Sequence, residues 1–264
     1  MVIMPLRIAC LLLLACCSSE AFSQSSDMSP DTEPGRIAFM TADVWPWGYL
    51  DAEGQPAGLL SEFAERLAHV AELPLDNRVL PHQRLLAEFK RGQGDYTVVF
   101  KNPDLDNLAD SLGEVLSADI LLVANPEFVG NLTLAALDGK RVGYISGTYY
   151  GEAFQQNDKL IKISVYSLDQ AIEMLRINRL DAVISSDIVF HHSLISQGLQ
   201  PNAFRYEIHT RGQTAHLYVS RQATNKHIAP RLQLALEKMH QAGKLRTLFY
   251  SELRSSADPL QSDH

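Results

Sequence analysis

From residue 36 onward, short apolar runs of strand length alternate with stretches of helical period, and the turns between them are brief. Ile37 to Met40 is the first run. After Gly58, the residues Leu59, Leu60, Phe63, Leu67 and Val70 share one helical face, with Glu62, Glu65 and Arg66 opposite. Asn77 to Leu80 reads as a second strand, and Gln83 to Lys90 as a helix with Leu85, Leu86 and Phe89 inward. Gly92 and Gly94 close that helix, and Asp95 leads into a strand over Tyr96 to Phe100. Such alternation implies an α/β fold with a mostly parallel, doubly wound sheet. In these sheets ligands bind beyond the carboxyl ends of the strands. That rule puts the loop Trp45 to Tyr49 and the loop at Lys101 and Asn102 at one mouth.

The first of these loops carries Trp45, Trp47 and Tyr49 and ends in the turn Asp51-Ala52-Glu53-Gly54. Large aromatics on a loop either cap the edge of a core or line a cleft and stack on a small ligand. Both readings stand at this point. Ser61 and Glu65 do not make a capping box, so Gly58 sets the start of the following helix only loosely.

The second half of the chain repeats the plan. A strand over Ile120 to Ala124 is followed by Leu137-Asp138-Gly139-Lys140 and a strand over Arg141 to Ile145. Ser146-Gly147-Thr148-Tyr149 comes next, with a helix expected to begin near Tyr149 to Phe154. A helix start there would aim free backbone N–H groups at the cleft and favour an anionic group, with the hydroxyls of Ser146 and Thr148 as further donors. The alternative is a plain N-cap with no ligand. Val165-Tyr166 reads as a short strand and Ser167 opens a helix to Asn178. Asn178 to Ile184 then repeats the turn, Asp, strand unit seen at Gly94 and Asp95, with Ser185, Ser186 and Asp187 at the predicted mouth. His191 and His192 are adjacent and cannot share a face, so they make no metal pair. A last strand over His216 to Val219 precedes an amphipathic helix from Ile228 to Ala242, Gly243, and a short helix from Leu245 to Leu253.

The ordered series Asp43, Pro46-Trp47, Tyr49, Asp51-Ala52-Glu53-Gly54 and Gly58 resembles the opening of the family 3 periplasmic solute-binding proteins, the amino-acid receptors of ABC transporters. Leu86-x-x-Phe89-x-x-Gly92-x-Gly94-Asp95-Tyr96 and the Leu137 to Thr148 stretch continue the resemblance, as does the helix, Gly, helix terminus. The resemblance implies a two-lobe fold of type II, each lobe a mostly parallel sheet flanked by helices. A ligand would be trapped between the lobes by hinge closure, and Asp95 would be structural. It also implies two departures. Where the family carries a carboxylate-gripping arginine, this chain has Asn102-Pro103-Asp104-Leu105, with Leu105 in the arginine slot and Lys101 the only cation nearby. The family's aspartate for the ligand ammonium falls on Ser186, with Asp187 one residue later. A standard α-amino acid is therefore a poor fit. The expected ligand wall is Asp43, Trp45, Trp47, Tyr49, Lys101, Asn102, Ser146, Thr148, Tyr149, Ser186 and Asp187.

The chain has 264 residues and a formal net charge of −8, without a basic stripe, which argues against a nucleic-acid partner. Arg7, the apolar run Ile8 to Cys17 and Ala21-Phe22-Ser23 read as a secretory signal, too short for a membrane span. Cys10, Cys16 and Cys17 all lie in it, so cleavage after Ser23 leaves no thiol. Lipid anchoring on Cys16 is the lesser alternative to plain export to the periplasm. The expected organisation is a signal over 1–23, a disordered leader over 24–35, lobe one over 36–123 and 213–254, lobe two over 124–212, and a loose tail over 255–264. No cofactor and no metal is called for. The expected protein is a monomeric binder of a small polar metabolite, read by a membrane transporter or sensor. Two other functions stay open: a dehydratase-like enzyme with Asp43 or Asp187 as general acid, and a ligandless adaptor.

Overall fold

The computed structural model describes residues 35–257; the expected signal, the leader up to residue 34, Cys16 and the residues after 257 lie outside them. In the first half, β1 (Ile37–Ala42), α1 (Leu59–Ala71), β4 (Leu75–Leu80), α2 (His82–Lys90) and β5 (Tyr96–Phe100) follow one another, with a two-residue hairpin pair β2 (Tyr49–Leu50) and β3 (Pro56–Ala57) between β1 and α1. β6 (Ala109–Ala124) leads into the second half. There β7 (Arg141–Ile145), α3 (Glu152–Gln155), β8 (Ile161–Val165), α4 (Leu168–Arg176), β9 (Ala182–Ser186) and α5 (Asp187–Ser196) follow. β10 (Arg205–Ser220) returns to the first half, which α6 (Ala229–Gln241) and α7 (Lys244–Ala257) complete. α7 thus runs past Leu253 and into the stretch expected to be a loose tail.

The strands form one eight-stranded sheet in the order β4-β1-β5-β10-β6-β9-β7-β8. β1 pairs in parallel with β4 and β5, and β7 with β8 and β9. The two antiparallel strands in the middle, β6 and β10, belong to both halves. Ala215 to Val219 of β10 pair with β5, whereas Ile120 to Val123 of β6 pair with β9. The sheet expected as one per lobe is therefore continuous, and by contacts the described residues fall in one unit. The fold is nonetheless α/β and mostly parallel within each half, as the alternation implies.

The central ribbon is irregular in a particular way. Between the pairs Leu121–Ile208 and Ile120–Thr210, and again between Ile120–Thr210 and Ala118–Gln213, β10 carries an extra residue. Between Leu116–Ala215 and Glu114–His216, and again between Gly113–Leu217 and Ser111–Tyr218, the extra residue is on β6. Bulges of this kind bend a strand and increase its twist. Tyr250 of α7 fixes the midpoint, its hydroxyl accepting from the Ser117 N–H at 2.9 Å and donating to the Ser117 carbonyl.

One apolar core runs through both halves, from Phe39, Phe63 and Leu67 through Leu217 and Leu232 to Ile172, Leu175 and Phe190. A second core of Ile120, Leu122, Leu137, Val142, Phe154 and Ile184 backs the other face of the β6-β9-β7-β8 part. Asp95, buried, accepts hydrogen bonds from the N–H groups of Thr224 (2.9 Å) and Asn225 (3.2 Å) and from the Asn225 amide (2.8 Å). It ties the β5 turn to the loop after β10. Its counterpart Asp181 accepts from the Arg141 N–H and, through both oxygens, from its guanidinium at 2.9 and 3.1 Å. The guanidinium beside it holds the Asp181 carboxyl below the usual carboxylate range.

Candidate functional site

The loop after β1 and the loop after β7 face each other where the halves meet. Gly58 sits at φ 99°, and the first N–H groups of α1 are met by the loop's own carbonyls: Leu59 N donates to Pro46 O at 3.0 Å and Leu60 N to Trp47 O at 2.8 Å. A Cβ on Gly58 would lie 2.7 Å from Pro46 O and 2.9 Å from Trp47 O. The helix start is thus set tightly, not loosely. The aromatic loop serves as the cap that no side chain provides. This fixes the three aromatics differently. Trp47 is buried against Phe249 at a ring separation of 6.3 Å, the core-capping role. Trp45 is exposed and tilts against Tyr49 at 5.1 Å, facing open space.

Three adjoining spaces lie between the halves. On one side, a cavity of about 410 Å³ is lined by Asp43, Trp45, Tyr49 and His82 from the first half and Ser146 and Tyr166 from the second, among others. In the middle, a narrow cavity of about 40 Å³ is walled by apolar residues such as Ala42, Val44, Trp47, Val98, Phe100 and Leu116, with His82 and Thr148. On the other side, a cavity of about 470 Å³ has Asn102, Asp104, Thr148, Tyr149 and Glu152 in its wall. Val44 and His82 are shared by the first two spaces and Thr148 by the last two. The two end spaces have the size of small-molecule sites.

Direct contacts bridge the halves. The Gln83 amide donates to the Ser146 hydroxyl, and Thr148 Oγ1 stands 3.5 Å from His82 Nδ1. The Gln213 amide of β10 donates to Tyr149 O at 2.9 Å. Burial pushes the His82 imidazole down to about 4, so it is neutral near pH 7 and can accept as well as donate.

Of the residues expected at the site, Asp43, Trp45, Tyr49 and Ser146 share the first end space, Trp47 and Thr148 the middle, and Asn102, Thr148 and Tyr149 the other end. Lys101, Ser186 and Asp187 are not among the lining residues of these three spaces. Lys101 is exposed, and its N–H pairs with Thr214 O. Ser186 is buried as the N-cap of α5, its hydroxyl accepting from Val189 N. The Asp187 carboxylate accepts from Ile188 N at 2.7 Å, and burial raises its pKa. Asn102 caps a short helical turn through Asp104 N, and Leu105, in the slot of the family's arginine, is buried in the core.

The helix expected to start near Tyr149 is only one turn long, from Glu152, and Tyr150 and Phe154 are buried beneath it. Gly147 and Gly151, both at positive φ, take the chain through a turn first, and a carboxylate occupies the first turn of the helix. His82, Asp104, Glu152 and Tyr166 also line these spaces and lie outside the ligand wall expected from the sequence. The position of His82 and Tyr166 just beyond the carboxyl ends of β4 and β8 was the available signal.

This geometry is that of a periplasmic-binding-protein-like α/β fold, and solved structures share it. A histidine kinase sensor domain with similarity to periplasmic binding proteins matches at a TM-score of 0.70 and 14% identity, covering 81% of this chain and 95% of that one. A mutant of ArgBP from T. maritima matches at 0.68 and 15%, covering 83% and 96%. AbpA, an amino acid ABC transporter substrate-binding protein from Streptococcus pneumoniae bound to L-arginine, matches at 0.67 and 17%, covering 84% and 96%. No protein-family model and no curated sequence matches this chain. Among the described residues, no helix is long and apolar enough to cross a membrane.

Proposed function

We propose that this chain is an exported, monomeric solute-binding protein that takes a small polar metabolite between two lobes and presents it to a membrane transporter or sensor. The lobes are residues 36–123 with 213–254, and 124–212. The observation that carries this is the cleft where the β1 and β7 loops meet, crossed by Gln83–Ser146 and floored by the bulged ribbon of β6 and β10. A ribbon bent at four points, with few direct bonds across the cleft, is suited to act as a hinge. Ligand contacts made only in the closed form would then shift the population toward closure. Similar structures include both transporter receptors and a kinase sensor domain, which supports either partner.

The enzyme reading has less support. A dehydratase needs a cleft carboxyl with a raised pKa. Asp187 has the raised pKa but does not line the three spaces; Asp43 lines one but is exposed. The test is thermal shift and calorimetry of the purified protein against amines, amino acids, sugars and organic acids, with X-ray scattering to follow compaction. Stabilisation by one class with a fall in radius of gyration is expected. No stabilisation by any class would overturn the proposal.

A further inference from the structure

The charge distribution along the cleft narrows the ligand class, granted the binding reading above. The three spaces form a series with a wide end, an apolar waist and a second wide end, joined by shared walls. No lysine or arginine is among their lining residues. Carboxylates stand at both ends instead: Asp43 at one, Asp104 and Glu152 at the other. The waist between them has no charged side chain, since His82 is neutral there.

We infer that the cleft takes a linear organic cation with an ammonium group at each end and a methylene chain between, an α,ω-diamine or a polyamine, and rejects carboxylates. One ammonium would sit with Asp43 against the faces of Trp45 and Tyr49, whose rings stand 5.1 Å apart. The methylenes would lie in the waist of Val44, Val98, Phe100 and Leu116. The second ammonium would sit with Asp104 and Glu152. Burial first, and then the fields of Glu152 and Asp104, hold the Tyr149 phenol above its ordinary pKa. A carboxylate would meet one like charge at the Asp43 end or two at the Asp104 and Glu152 end, with no lysine or arginine lining either, which costs affinity in both end spaces.

The test is calorimetry on the full purified chain with 1,4-diaminobutane, 1,5-diaminopentane, spermidine, 1-aminobutane, L-arginine, L-glutamine and succinate, at low and moderate salt. The diamines are expected to bind at least about tenfold more tightly than 1-aminobutane, which lacks the second charge. Asp43→Asn and Glu152→Gln remove exposed carboxylates, so their melting temperatures should stay near that of the parent. Each should weaken the diamine roughly two- to fivefold and reduce the preference over the monoamine. Equal binding of the monoamine, or preference for arginine, glutamine or succinate, overturns the diamine assignment and leaves the solute-binding reading standing. Silence across the wider panel of amines, amino acids, sugars and organic acids overturns both.

Discussion

The two halves of the molecule open a helix in the same way and surround it differently. Gly58 before α1 has φ 99° and ψ 173°, and Gly151 before α3 has φ 98° and ψ 155°. A Cβ on Gly58 would strike two carbonyl oxygens of the aromatic loop, whereas a Cβ on Gly151 has nothing within 4 Å. The same contrast holds for the repeated aspartates. Asp95 is buried and satisfies three uncharged donors; Asp181 is part-exposed and faces a guanidinium. A shared local motif therefore does not carry a shared energetic weight. The surroundings set it, and in the first half they bind the aromatic loop to the frame.

The largest test of this contrast is Asp95→Ala. It removes the carboxylate that accepts three hydrogen bonds around residues 224 and 225, each hydrogen bond to a charged group contributing about 1.5–3 kcal/mol, and should lower the melting temperature by about 5–15 °C in a thermal unfolding experiment. Little change would mean that the two aspartates are equivalent after all. Next comes Gly58→Ala, expected to cost about 1–3 kcal/mol by strain and steric conflict. Gly151→Ala should cost about 1 kcal/mol, from the backbone alone. Equal losses in the pair would remove the role assigned to the Pro46 and Trp47 carbonyls.

A smaller effect separates cleft from frame by pH. The folded pKa of His82 is about 4, below its ordinary 6.5. Between those values the unfolded chain takes the proton and the folded one does not. Stability should therefore fall as pH drops from 6.5 toward 4 and level off below that. His82→Gln should flatten that segment of a melting-temperature profile; an unchanged profile would show that the imidazole is hydrated in the folded protein. Smallest is Asp181→Asn. The Arg141 pair lowers the folded pKa of Asp181, so its contribution is present above the ordinary 3.8 and is lost as pH falls through the lower folded value. At neutral pH the part-exposed pair should move the melting temperature by only about 1–3 °C.

Much of the frame was legible because its residues obey one period at a time. Leu60, Phe63 and Leu67 repeat at helical spacing on α1, and Tyr96 to Phe100 is a plain apolar run. The central ribbon was not legible. Asp110, Ser111, Glu114, Glu207, His209 and Arg211 are polar, and bulges break the alternation of two that would reveal strands of this length. Only the apolar ends, Ile120 to Ala124 and His216 to Val219, could be read as strand. The aromatic loop was visible as a feature, yet nothing in Trp45, Trp47 and Tyr49 says which one turns inward. Phe249, two hundred residues away, makes that choice for Trp47. His82 escaped notice because a single histidine at a helix start has no pattern around it.

The paired irregularities of β6 and β10 carry a consequence for how such a chain can change over time. Two surplus residues on one strand are offset by two on the other, so the outer ends of the ribbon return to step, Ala124 opposite Arg205 and Ala109 opposite Ser220. An unmatched deletion in either strand would invert the facing of every side chain downstream and exchange wet for dry surface over half the sheet. Length variation should therefore be forbidden in the ribbon, as it is in the loop over 43–49, whose Pro46 and Trp47 carbonyls cap α1. Change in this chain is then confined to substitution along the cleft walls, while the ribbon keeps the same count.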